Sequence, residues 1–137
     1  MHQQTLQIQT SGKGFTNVSA AVAACVQNAD IRTGLCTVFI QHTSASLVIQ
    51  ENADPAVLRD LARWMDGLAP QSHAWEHDAE GPDDMPAHAR SAVTRTTESI
   101  PVVAGRLGLG TWQGLYVWEH RTQPHHRTLV VTTLGMD

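Results

Sequence analysis

Leu6 and Ile8 alternate with glutamines up to Thr10, the two-residue period of a strand that buries one face. After a turn at Gly12-Lys13-Gly14, Val18, Ala21, Val22 and Cys25 recur at i, i+3, i+4 and i+7. That spacing predicts an amphipathic helix to about Asn28, with Thr16 or Asn17 capping its first turn. The run Leu35 to Ile40 is short, apolar and rich in β-branched residues, as expected of a strand buried on both faces, and Leu47 to Ile49 predicts another. Between them, Gln41 to Ser46 is polar and lacks the Gly/Asn pair of a tight hairpin, so its polar groups need partners or a ligand. Asp54-Pro55 is a strong helix start, and Leu58, Leu61, Met65 and Leu68, widened by Val57 and Trp64, mark a stripe that ends near Gly67 and Pro70.

Residues 71–85 show no apolar period and hold His73, His77 and five acidic side chains, which predicts a long loop of the kind that more often serves function than filler. Pro86 opens a shorter helix, Ala87 to about Thr96, with His88 in its first turn. The remainder reads as strands: Ile100 to Val103, a turn at Ala104-Gly105, Leu107 to Leu109, Gly114 to Glu119 and Thr128 to Thr133, the last two joined by a turn through Arg121 to His126. The order predicts an α+β single domain over 1–137, a largely antiparallel sheet or sandwich with helices on one side.

Composition narrows the function classes. With 137 residues the chain has the size of one domain, and no apolar run reaches the roughly 20 residues of a membrane helix. A net charge of −4 and a single lysine, Lys13, argue against nucleic acid as a partner. The N-terminus lacks a basic start and long apolar stretch, so a cytoplasmic location is expected. Cys25 and Cys36 lie in apolar stretches without CxxC spacing and read as core thiols.

Three stretches carry a resemblance. Gln41-His42-Thr43-Ser44-Ala45-Ser46 with Gln50-Glu51-Asn52-Ala53-Asp54-Pro55, then His77-Asp78-Ala79-Glu80-Gly81-Pro82-Asp83-Asp84-Met85-Pro86-Ala87-His88, and last Ser99 through Gly105 to Gly110-Thr111-Trp112-Gln113 resemble the YjbQ family over nearly the whole chain. Some members of that family are named secondary thiamine-phosphate synthases. The segment Gly81 to His88 is similar to the longer variant of the family's loop. The resemblance implies a compact α+β subunit, a homotrimer, and a polar cleft built from the motif residues.

The candidate chemistry follows from those positions. His42, His77 and His88 are the candidate metal ligands, since three imidazoles with a fourth position open suit a catalytic divalent ion, zinc or magnesium being the two considered. Glu51 can orient a histidine, bind the metal, act as a general base, or simply be a surface acid. Gln113, which follows Gly110 at the start of a strand, is with Glu51 and Arg127 a candidate catalytic residue, and Trp112 reads as a core or interface residue. Arg127 can hold a phosphate or pair with Glu119, and Thr43, Ser44 and Asn52 can add donors to an anion. His120, His125 and His126 read as turn residues. The implied ligand is a small phosphorylated substrate or anion, and the implied reaction joins a hydroxymethylpyrimidine diphosphate to a thiazole phosphate. A metal-dependent hydrolase and a non-catalytic anion-binding protein are the alternatives.

Overall fold

The computed structural model describes residues 1–136. Strands β1 (His2–Gln9), β2 (Gly14–Asn17), β3 (Thr33–Ile40), β4 (Ala45–Glu51), β5 (Thr97–Val103), β6 (Arg106–Leu107), β7 (Gln113–Glu119) and β8 (His126–Gly135) form two sheets. A five-stranded sheet runs β1-β8-β3-β5-β6 and a three-stranded sheet runs β2-β7-β4. Every pairing is antiparallel.

Helix α1 (Ser19–Ala29) follows β2; its N-cap is Val18, without a side-chain capping bond, in place of the expected Thr16 or Asn17, although the Ser19 amide donates to Asn17 Oδ1 at 2.9 Å. Its Val22, Cys25 and Val26 enter one cluster with Cys36, Val38, Ile40, Ile100, Val102, Leu129 and Val131 of the large sheet and Ala45, Leu47, Leu115 and Val117 of the small one. Cys25 and Cys36 are free, fully buried thiols, and burial pushes Cys36 up to about 11. Helices α2 (Pro55–Leu68) and α3 (Asp84–Val93) lie outside that cluster and pack on β4. Arg90 of α3, itself buried, donates Nε and Nη2 to the Ala69 carbonyl at 3.3 and 3.0 Å, so both ends of the intervening loop are anchored together.

Four further expectations change. The strand β2 replaces the simple turn-to-helix reading of residues 14–17, because four residues, none of them fully buried, are too few to show a period. The run Leu35 to Ile40 is buried on one face only: Leu35 and Phe39 point to the outer face of the large sheet and stand 42% and 43% exposed, since no layer of this chain covers that face. On α2, whose stripe is the clearest in the chain, only Met65 is buried, while Trp64 and Leu68 are exposed. The helix expected from Pro86 begins at Asp84 and ends at Val93.

β7 and β8, adjacent in sequence, pair in different sheets, and so do β1 with β2 and β3 with β4. Residues 10–13, 41–44 and 120–125 are therefore crossings between sheets, and they meet. Thr10 Oγ1 donates to Glu119 Oε1 at 2.7 Å, Arg127 Nε donates to the same oxygen at 2.7 Å, and Arg121 N donates to Oε2 at 3.1 Å. Arg127 Nη2 also donates to Ser44 Oγ at 3.0 Å, and His120 N to the Ser44 carbonyl at 3.3 Å. A carboxylate with no solvent exposure thus ties three connections at the point where the sheets part. Among the described residues no helix is long and apolar enough to cross a membrane.

Candidate functional site

The loop between α2 and α3 folds back on the turn after β7 because Arg121 clamps it. Its Nε donates to Asp83 Oδ2 at 2.9 Å, its Nη1 to Asp84 Oδ1 at 2.8 Å and its Nη2 to the Glu80 carbonyl at 3.1 Å. Asp83 also accepts from the Thr122 amide at 2.9 Å. Burial opposes ionisation of Asp83, but the guanidinium and the amide outweigh it and hold the carboxyl at about 2. Gly81 has φ +103°, in the left-handed region, and lets the chain reverse just ahead of this clamp.

With Oδ1 of Asp84 held by Arg121, Oδ2 faces two imidazoles. His77 Nε2 lies 2.8 Å and His88 Nε2 3.2 Å from it. The ring centroids of His77 and His88 are 5.5 Å apart, and the three ligand atoms all lie within 4.8 Å of one another. Asp84 and His88 meet because α3 starts at Asp84, which puts them one turn apart on one helix face. Burial opposes ionisation of Asp84, and the His77 hydrogen bond with the nearby positive groups prevails, so its pKa falls below the usual range. The His77 pKa rises, chiefly through the hydrogen bond to Asp84.

His88 fixes what this cluster can bind. Its Nδ1 lies 3.1 Å from the Thr43 carbonyl, which only accepts, so the ring donates there and a neutral His88 has its lone pair on Nε2. That lone pair faces Asp84 Oδ2, another acceptor. The contact is favourable only with a positive centre between the two, either a proton or a metal ion. Ligands around a tetrahedral zinc are separated by about 3.4 Å, against 2.8 and 3.2 Å from Asp84 Oδ2 to the two imidazoles, and a ring nitrogen that donates to a carbonyl is the usual support of a metal-binding histidine. His77, Asp84 and His88 therefore suit a divalent ion with a fourth position open.

His77 borders cavities of about 570 and 390 Å³, both also lined by Trp75 and Met85. His88 borders a third, of about 230 Å³, which it shares with His42, Thr43, Ser91, Ala92 and Thr96. The structure thus brings His77 and His88 together and sets His42 on a shared cavity wall, outside the ligand cluster. His42 Nε2 accepts from the Thr128 amide at 2.8 Å. Burial, then the charge of Arg127, push its pKa down.

The other expected site residues divide. Thr43 supports His88 through its carbonyl, and Ser44 and Arg127 belong to the Glu119 centre. Glu51, Asn52 and Gln113 sit at the far end of the β4–β7 ladder, where Glu51 pairs with Gln113 and Ala45 with Glu119. Six residues of strand separate the two ends, about 20 Å. Glu51 Oε2 accepts from the Asp54 amide at 2.9 Å, Asn52 Nδ2 donates to the carbonyls of Thr111 and Gln113, and the Gln113 side chain accepts from the Gly110 amide. These bonds shape the start of α2 and the turn before β7. Trp112 is 65% exposed, so it is no core residue of this chain. His120 is no turn residue either: it is fully buried, its Nε2 is 2.8 Å from Ser46 Oγ, and burial pushes it down to about 3.

Asp84 is the candidate ligand that reading the sequence did not single out; it stood there only as one acid of a loop cluster. The signal was its four-residue spacing to His88, hidden by placing the helix start at Pro86.

The sequence profile described as "UPF0047 protein YjbQ-like" matches residues 4–136. A UPF0047 protein of Synechocystis is 56% identical over 135 residues, covering 98% of this chain and 92% of the relative, and YjbQ of Escherichia coli O157:H7 is 39% identical, covering 98% of each. A crystal structure of an uncharacterised YjbQ/UPF0047 protein from Clostridium acetobutylicum superposes with a TM-score of 0.88 at 31% identity, covering 96% of this chain and 99% of that one. A conserved hypothetical protein from Thermus thermophilus gives a TM-score of 0.85 at 33% identity, covering 96% and 99%. On sequence and fold alike, this chain belongs to the YjbQ (UPF0047) family.

Proposed function

We propose that this protein is a divalent-metal enzyme acting on a small phosphorylated substrate, with weak thiamine-phosphate synthase activity as its reaction. The observation that carries the metal is the convergence of His77, Asp84 and His88, with His88 Nε2 and Asp84 Oδ2 meeting acceptor to acceptor when the ring is neutral, held from behind by Thr43 and Arg121. The reaction itself rests on the family resemblance. In it the thiazole nitrogen attacks the methylene carbon of hydroxymethylpyrimidine diphosphate, the carbon–oxygen bond breaks, and pyrophosphate leaves. A cation held by His77, Asp84 and His88 would offset the charge of that leaving group. The cavities beside the cluster offer volume for the rings.

We also propose the homotrimer. Its support is apolar surface that a lone chain leaves open: Leu35, Phe39, Val103 and Leu134 on the outer sheet face, and Trp112 at 65% exposure.

Elemental analysis of protein purified without chelator, with turnover of both substrates before and after EDTA, tests the reading. Expected are about one equivalent of metal per chain and thiamine phosphate formed only in its presence. Metal without turnover favours an anion-binding protein, and no metal at any concentration removes the reading. Light scattering at a single-chain mass of 14.9 kDa would reject the trimer.

A further inference from the structure

The neighbouring wall of the same cleft holds a second mismatch, of the opposite sign. The Thr128 amide donates to His42 Nε2 at 2.8 Å. An amide can only donate, so Nε2 is the lone-pair nitrogen and the ring proton sits on Nδ1. Yet Arg127 Nη1 lies 3.4 Å from that Nδ1. A guanidinium has no acceptor, so two N–H groups face each other there. Arg127 is 4% exposed, and its other nitrogens are engaged: Nε and Nη2 with Glu119, and Nη2 with Ser44. Among the described residues, nothing within hydrogen-bonding distance of Nη1 accepts from it.

The geometry points to a slot for one anionic oxygen, of a phosphoryl or carboxylate group, between Arg127 Nη1 and His42 Nδ1. An oxygen about 2.8–2.9 Å from each nitrogen completes a triangle on the 3.4 Å edge and receives both protons. The buried arginine supplies charge, and the histidine supplies direction because its tautomer is set by the backbone of β8. His42 lines the 230 Å³ cavity together with His88, so a molecule bound at His88 can extend along that cavity to His42. The ligand class is therefore an oxyanion, and Glu119 is the positioning residue that keeps the guanidinium in place. The slot deepens the reading of this cleft given above, and it is tested without metal so that the two stand or fall apart.

Isotope-labelled protein stripped with EDTA is titrated with inorganic phosphate in one arm and acetate in the other, while NMR follows the ring nitrogens of His42 and the Arg127 guanidinium. Free protein is expected to carry the His42 proton on Nδ1, and both signals are expected to shift saturably with added anion. Saturation at lower phosphate than acetate identifies a phosphoryl occupant, the reverse a carboxylate, and equal saturation a slot that does not distinguish them. His42→Phe is expected to weaken the better anion about tenfold to a hundredfold, while Asp54→Ala, at the start of α2, keeps it within about twofold. If His42→Phe does not fold, the tautomer and titration of the unaltered protein decide alone. A proton on Nε2, no saturation by either anion, or undiminished binding by folded His42→Phe overturns the slot. Saturable anion binding in a protein that takes up no zinc leaves the slot standing and removes only the metal.

Discussion

Two polar centres lie side by side in this fold, and they resolve their charges differently. At Glu119, donors from Thr10, Arg121 and Arg127 fill both oxygens, and the carboxylate has no solvent exposure. At Asp84, Oδ1 is equally well held by Arg121, but Oδ2 meets a ring nitrogen of His88 that carries a lone pair whenever the ring is neutral. Burial and charge are common to both, so neither property identifies a site. What separates them is the match of donors to acceptors at the carboxylate itself. The matched centre joins sheet crossings, and the mismatched one borders cavities.

The largest effect is expected at the matched centre. Glu119→Ala leaves Arg127 buried beside no anion and should cost about 3–5 kcal/mol, read as a fall in the urea midpoint. A loss below about 1 kcal/mol would show that Glu119 does not tie the crossings.

A smaller effect, opposite in sign with and without metal, is expected from pH at the mismatched centre. The His77 pKa is raised in the folded state, so without metal its contribution is fully present below about 6.5 and fades as pH rises through the folded value. Metal needs the neutral ring, so zinc affinity should instead weaken as pH falls, starting above the pH at which an ordinary histidine takes up its proton. Calorimetric zinc titrations across that range check the direction, and affinity independent of pH would place the metal elsewhere. The smallest effect sets the scale for one exposed carboxylate hydrogen bond: Asp54 Oδ1 accepts the Ala56 amide at 2.9 Å, and Asp54→Ala should cost about 1 kcal/mol in a denaturant titration.

Local signals were readable in the sequence wherever one segment determines its own geometry. Asp54-Pro55 marked the start of α2 correctly because a capping carboxylate and a proline act within one turn. The hairpin at Ala104-Gly105 was readable too, since both residues take positive φ there, 51° and 78°. What stayed hidden depends on distant segments. The Glu119–Arg127 pair was one of the two readings open for that arginine, but that Thr10, Arg121 and Ser44 join it depends on crossings between different sheets. His120 looks like a turn residue until the 41–46 segment closes over it through Ser44 and Ser46. The α2 stripe misled for a related reason: an amphipathic period shows that a face is apolar, and leaves open whether this chain or another covers it.

The two thiols in the core offer a clock. Cys36 has no exposed surface and is pushed up to about 11, so at neutral pH an alkylating reagent finds neither access nor thiolate until the chain opens. It sits on the central stretch of β3, paired to both β5 and β8, so reaching it means parting the large sheet. The rate of its alkylation therefore counts whole-molecule openings, with no tag or added fluorophore. Slower alkylation in the presence of phosphate would register occupancy of the cleft through its effect on opening.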